Sequence, residues 1–161
     1  MKTAVYQIGM FLLLAAGLFS CRNEEVVFYT FNHLSANGWN KREIQTFVPE
    51  IEDSLSFYDI DISLRYTNDY AFSNLWLFIG YTDEEGFSCT DTLECRLADV
   101  YGKWYGSGWG ASYQQVIPFK KRFRFPRRGE YRFSIQQGMR EDVIRHIEDV
   151  GLSVKKVMPA D

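Results

Sequence analysis

The sequence predicts an all-β fold: a single antiparallel β-sandwich of jelly-roll type, with about eight strands and one short helix near the C-terminus. Three observations predict it. Aromatic residues make up 17% of the chain, with thirteen Phe, ten Tyr and four Trp, and flat or β-branched side chains pack well on a pleated surface. Apolar and polar residues alternate with period two over several stretches, as half-buried strands require. Gly, Asn and Asp turn signals separate those stretches at short, fairly even spacing. The 161 residues suit one domain, and a hydrophobic fraction of 46% is enough to build its core.

Val26 to Phe31 reads as the first strand and Ile44 to Val48 as another. Tyr58, Ile60, Ile62, Leu64 and Tyr66 share one face of a strand, with Asp59, Asp61, Ser63 and Arg65 on the solvent face. Leu75 to Ile79 is apolar on both faces, so it is expected to be a central strand or one whose second face is covered. Leu93, Cys95 and Leu97 point inward against Glu94 and Arg96, and Tyr131, Phe133 and Ile135 repeat the pattern. The last strand is expected over Leu152 to Val157, after Gly151. Turns fall at Asn37-Gly38, Asp83 to Gly86, Tyr101-Gly102 and Arg128-Gly129. Met139, Val143 and Ile147 recur every four residues, so Arg140 to Asp149 is the expected helix.

The N-terminus carries an address. Lys2 precedes an apolar run from Ile8 to Phe19, shorter than the roughly 20 residues a membrane-spanning helix needs, so it reads as the core of a signal peptide. Leu18-Phe19-Ser20-Cys21 resembles the lipobox of bacterial lipoproteins, although Phe19 is bulky for its place. The expected organisation is a signal peptide over residues 1–20, a lipidated Cys21 with a tether to residue 25, and a β-sandwich domain over residues 26–161. Acyl chains on Cys21 would hold the protein on a bilayer. Arg22 stands where an Asp often signals inner-membrane retention, so the outer membrane is the expected location, with the domain facing the periplasm. Arg22 followed by Glu24-Glu25 also loosely resembles a surface-export signal, which keeps cell-surface exposure open.

With Cys21 lipidated, Cys89 and Cys95 form an even pair in an oxidising compartment. In one continuous strand their Cα atoms stand roughly 20 Å apart, and a disulfide needs less than about 7 Å. Two buried or half-buried thiols are the expected state; a bridge, the alternative, requires Thr90-Asp91-Thr92 to turn back.

Catalytic signals are sparse. His33 and His146 sit in no metal-type spacing and beside no nucleophile pattern. Asp59 and Asp61 are explained by solvation, and Asp83, Glu84 and Glu85 offer oxygens to a hard cation only in principle. No catalytic residue, metal or cofactor is expected. The net charge of −3 supplies no general electrostatic reason to bind nucleic acid.

Two stretches stand out as partner-binding candidates. Gly102 to Gly110 carries Trp104, Tyr105 and Trp109 among glycines. Displayed, these rings would suit a protein partner or a sugar; turned inward, they would plug one end of the sandwich. Phe119, Phe123 and Phe125 share one parity, while Lys120, Arg122 and Arg124 share the other. That basic row would blunt an edge strand, or would meet an acidic partner or anionic lipid head groups.

Several short motifs also match a known family. Asn74-Leu75-Trp76-Leu77-Phe78, Asp91-Thr92-Leu93-Glu94-Cys95, Gly102-Lys103-Trp104, Gln137-Gly138-Met139-Arg140 and Asp149-Val150-Gly151-Leu152 resemble, in order, the gliding-motility lipoprotein GldH family of Bacteroidetes. The similarity runs from about Phe28 to Lys156 and includes the signal and Cys21. Ala71 and Phe72 depart from the family's Tyr-Pro-Tyr-like stretch. The resemblance implies a non-enzymatic envelope lipoprotein, partnered by motility or secretion proteins. Family members occur in non-gliding species too. The reading is therefore a membrane-tethered scaffold or assembly factor, with a carbohydrate-binding lipoprotein as the alternative.

Overall fold

A computed structural model describes residues 24–158, so the signal peptide, Cys21 and the first tether residues lie outside the described part. Twelve strands form two main antiparallel sheets and one small pair. The strands are β1 (Glu24–His33), β2 (Trp39–Asn40), β3 (Gln45–Phe47), β4 (Glu50–Ile51), β5 (Phe57–Thr67), β6 (Asn74–Asp83), β7 (Ser88–Arg96), β8 (Ser107–Trp109), β9 (Ser112–Phe123), β10 (Gly129–Gln137), β11 (Val143–Ile144) and β12 (Ile147–Val157). The first sheet runs β1-β12-β5-β9-β8 and the second β3-β10-β6-β7, with β4 also on β10. Strands β2 and β11 pair by themselves.

The alternation read from the sequence builds the core. Tyr58, Ile60, Ile62, Leu64 and Tyr66 of β5 are all buried, beside Val150, Leu152 and Val154 of β12. Opposite them the second sheet buries Leu75, Leu77, Ile79 and Tyr81 of β6 with Tyr131, Phe133 and Ile135 of β10. Rings lock the two layers: Tyr81 meets Phe123 at 5.7 Å edge-on, and Phe125 contacts both Tyr58 (5.3 Å) and Tyr131 (4.6 Å). Strand β6 is central, as its two-sided apolar character predicts. Its second face is only partly covered by the described chain, with Gly138 against the Phe78 ring: Trp76 and Phe78 remain 40% and 43% exposed.

Three expectations need correcting. The helix at Arg140 to Asp149 is absent; Val143–Ile144 pairs with Trp39–Asn40, and β12 starts at Ile147. A left-handed turn at His146 (φ 69°) separates these strands, which turns both Ile144 and Ile147 into the core where a helix would bury Val143 instead. Gly151 lies within β12 rather than before it, because the Phe31 ring of β1 occupies the space where a Cβ would sit, 2.8 Å away. Asp61 and Ser63 are not on an open face: Asp61 is only 3% exposed, covered by Lys121 and Lys155, and Ser63 pairs across to that same Gly151. For the cysteines the expected thiol state holds: Cys89 is half-buried and Cys95 buried, both free on the one continuous strand β7, because Thr90-Asp91-Thr92 does not turn back.

The turn glycines do behave as expected. Gly38, Gly86, Gly102 and Gly129 all take positive φ, which L-residues with a Cβ rarely adopt.

Ile62 is wholly buried at the middle of β5, between β12 and β9. We expect Ile62→Ala to lower unfolding free energy by about 3 kcal/mol through lost burial and a residual cavity, measured by urea denaturation.

Candidate functional site

The strand registers give the sandwich two distinct ends. At one, Glu24, Val157 and Phe57 lie in a row across the first sheet, and Phe123 pairs with the neighbouring Tyr58. At the other, Trp109, Ser112 and Thr67 lie in a row. The 11 residues of β5 separate them by roughly 33 Å at about 3.3 Å per residue.

The far end is organised around Tyr66. Its hydroxyl donates to the Leu97 carbonyl (3.2 Å) and accepts the Gly106 N–H (3.1 Å). The Trp104 ring packs against Tyr66 (5.3 Å) and Tyr113 (6.1 Å), closing that end of the core. Burial raises the Tyr66 phenol above its ordinary pKa, so it stays protonated as the hydrogen-bonding post of the loop. Asp99 takes the N–H groups of Tyr101 (2.8 Å) and Lys103 (2.9 Å), and the Tyr105 N–H returns to Leu97 (2.8 Å). The loop after β7 is therefore stitched in place rather than loose.

The two tryptophans of the Gly-rich stretch separate. Trp104 is a plug, while Trp109, at the tip of the β8–β9 hairpin, is 95% exposed. Gly108 permits that hairpin, since a Cβ there would come within 2.0 Å of the Ser112 carbonyl oxygen. Tyr105 stays exposed beside it, as do Val100 and Tyr101. The sequence marks Tyr101 only as part of a turn with Gly102, and it carries no sign that Val100 and Tyr101 are displayed. Between this loop and the β6–β7 edge runs a groove of about 350 Å³ lined by Asn74, Glu94, Arg96, Asp99, Val100 and Tyr105.

The basic row does not share a single face. Irregularities in the β5–β9 register between Tyr58 and Asp61, with Arg122 at φ 49°, rotate successive side chains apart. Lys120 lies over Phe119 and pairs with Asp91 (2.8 Å). Lys121 turns instead onto Asp59 and Asp61, 3.0 Å from each. Arg122 and Arg124 both stack on Phe57, each 4.7 Å from its ring centre. The phenylalanines face the core as expected: Phe125 is buried, and Phe119 and Phe123 pack against it.

Several other titratable groups are engaged structurally. Burial pushes the Asp59 carboxyl up, but the Arg122 N–H (2.8 Å) and the Lys121 ammonium outweigh it and leave it below the usual range. Lys121, despite some desolvation, is raised by the same two carboxylates. Asp83 and Glu85, considered for a cation, hold Arg127 at 3.0 and 3.1 Å. His33 pairs with Asp149 at 2.9 Å, and His146 serves a turn. Burial pushes the Cys95 thiol up to about 12, which makes it a packing group rather than a nucleophile.

These features define a class: an all-β, antiparallel, sandwich-like domain that shows an exposed aromatic end and an arginine-bearing end. The family model described as GldH lipoprotein matches residues 26–154. The gliding motility lipoprotein GldH homolog of Christiangramia forsetii is 33% identical over 146 residues, covering 86% of this chain and 89% of its own. Gliding motility lipoprotein GldH of Flavobacterium johnsoniae is 31% identical over 157 residues, covering 92% and 95%. The chain belongs to the GldH lipoprotein family. Among solved structures, an arabinose-bound α-L-arabinofuranosidase is similar over 88% of this chain and 24% of its own, with 11% identity and a TM-score of 0.39. Dimeric latent PorU of Porphyromonas gingivalis is similar over 86% and 13%, with 8% identity and a TM-score of 0.35. Likeness at that level carries no argument about function.

The Asp59–Lys121–Asp61 cluster gives a pH prediction. The depressed Asp59 stabilises the fold above the unfolded carboxylate pKa of about 3.9, and that contribution is lost as pH falls through its lower folded value. The raised Lys121 stabilises below about 10.4 and is lost as pH rises through its higher folded value. Lys121→Met should therefore be less stable than the parent between about pH 5 and 9, with the two denaturation curves converging below about pH 3.

Proposed function

We propose that this chain is a non-catalytic outer-membrane lipoprotein, held by lipid on Cys21 and facing the periplasm, that scaffolds or assembles part of a gliding-motility and linked secretion machinery. The relatives' names supply the motility setting. The strand order β1-β12-β5-β9 against β3-β10-β6-β7 supports the jelly-roll reading of the domain. Its carboxylate pair, Asp59 and Asp61, shares the Lys121 ammonium, which suits a structural role better than proton transfer.

One observation carries the scaffold reading. Val100, Tyr101, Tyr105 and Trp109 are exposed together on a hydrogen-bonded loop and hairpin, at the end farthest from residue 24. Rigid exposed aromatics are the commonest anchors of protein interfaces. A short lipid tether would confine them near a membrane-bound partner and raise its effective concentration without new contacts.

The test is capture of the lipidated protein from crosslinked envelopes, read by mass spectrometry. Trp109→Ala with Tyr105→Ala should reduce recovery of the partner roughly thirtyfold, the loss expected when about 2 kcal/mol of anchor contact is removed. Unchanged recovery would remove this surface from the proposal. In the same strains Cys21→Ala should be lost from the membrane fraction on carbonate washing.

A second reading, glycan binding, has its own observation. Trp104 is packed inward, so it makes no platform with Trp109. Trp76 and Phe78 do stand side by side on the outer face of the second sheet, bordered by Glu94, Thr92 and Gln136. Saturable quenching of tryptophan fluorescence by an envelope polysaccharide, abolished by Trp76→Ala, would favour this reading over the scaffold.

A further inference from the structure

The tether enters at one corner of the near end. Cys21 precedes Glu24 by three residues, a reach of at most about 10 Å even when fully extended. With lipid on Cys21, the end holding Glu24, Val157 and Phe57 must therefore stay close to the head groups.

That end gathers exposed arginine. Arg122 and Arg124 flank Phe57, and Arg128 follows in the turn between β9 and β10, where it lines a shallow groove with Asp83, Glu84, Glu85 and Glu130 without pairing to them. All three are exposed, and none has a carboxylate partner among the described residues. Their neighbours Lys120, Lys121, Arg127 and Lys156 are each ion-paired. The Phe57 ring holds two guanidinium groups in place, so little side-chain freedom remains to be lost when they bind.

Leu55, two residues before Phe57, is 81% exposed on the loop between β4 and β5. That loop is held from below. The Asp53 carboxylate accepts the Leu55 N–H (2.9 Å) and the Ser56 hydroxyl (2.6 Å), and it pairs with Lys156 (2.8 Å). An ordered apolar tip next to unpaired arginines is the chemistry of a membrane interface, where apolar groups enter the head-group region and cations meet phosphates.

We propose that this corner docks on the anionic, phosphate-bearing lipid surface that holds the anchor, Arg122, Arg124 and Arg128 binding phosphates and Leu55 entering the interface. The inference rests on the Cys21 anchor proposed above. Charge also sets the tilt. On the β1 side of the Leu55 loop the same end carries a groove of about 510 Å³ between β1 and β4, lined by Glu25, Glu50, Glu52 and Asp53 with Lys156. An anionic surface repels that groove and attracts the β9 corner, and the short tether leaves room for the β1 corner to lift. The docked domain then carries Trp109 away from the bilayer in a fixed direction.

The experiment uses the lipidated mature protein in vesicles of phosphatidylcholine, with and without phosphatidylglycerol. Flotation reports the anchor, and amide hydrogen exchange reports docking. The expected result is flotation with both vesicles, and slowed exchange of residues 53–57 and 121–128 with phosphatidylglycerol only. That slowing is reversed by high salt, and residues 99–110 are unaffected. Each of Arg122→Gln, Arg124→Gln and Arg128→Gln should weaken docking about fivefold, the factor for one arginine at an anionic surface. Leu55→Ser should weaken it at low salt while leaving its salt dependence unchanged. Flotation without any phosphatidylglycerol-dependent protection, or protection of residues 99–110 instead, overturns the docking while leaving the anchor intact. Failure to float overturns both.

Discussion

Water is excluded between two facing sheets along the inward row Tyr58, Ile60, Ile62, Leu64 and Tyr66, and the other strands take their places from that row. Strand β5 sits between β12 and β9 in the first sheet, so its register fixes theirs over nearly its whole length. Its first buried ring, Tyr58, meets Phe125, and its last, Tyr66, meets Trp104. The same row that drives burial thus also fixes what each end of the molecule looks like. Apolar burial at about 25 cal/mol per Å² supplies the driving force; the ring contacts decide the alignment of the sheets.

The two ends differ because their loops solve different problems. At the far end the chain must pass from β7 to β9, and it does so through a loop held by Asp99, Leu97 and the Tyr66 hydroxyl. With its backbone satisfied internally, the loop can leave Val100, Tyr101 and Tyr105 in solvent. At the near end, β9 leaves its regular register, and its basic side chains fan out in three directions. The irregularity and the charges there blunt an edge strand against unwanted pairing, and Arg122, Arg124 and Arg128 make no carboxylate ion pair among the described residues. One end is apolar and rigid; the other, next to the tether, sets an arginine corner beside an acidic groove. On the proposed reading these are the partner face and the membrane face of a single short adaptor.

Much of this architecture was legible in the sequence, because period-two alternation depends only on which face a residue takes. The β5, β6 and β10 rows, the central place of Leu75 to Ile79 and the glycine turns all follow from local pattern. What was not legible depended on neighbours distant in the chain. Met139, Val143 and Ile147 mimic a helical face, yet pairing of Val143–Ile144 with Trp39–Asn40 and the turn at His146 override that spacing. Asp61 reads as a solvent residue until Lys121 and Lys155 are brought over it. The basic row was legible as a composition but not as a geometry, since the shifts in the β5–β9 register carry no sequence signature. Trp104 and Trp109 look equivalent in the chain, and only the Tyr66–Tyr113 pocket distinguishes the plug from the displayed ring.

The central claim is that the domain is oriented, membrane at one end and partner at the other. Site-specific photocrosslinking in intact envelopes tests it most directly, with the reactive residue placed at Trp109 in one strain and at Leu55 in another. The account predicts a discrete protein adduct from position 109 and lipid adducts from position 55. Lipid adducts from position 109, or the same protein adduct from both positions, would contradict it.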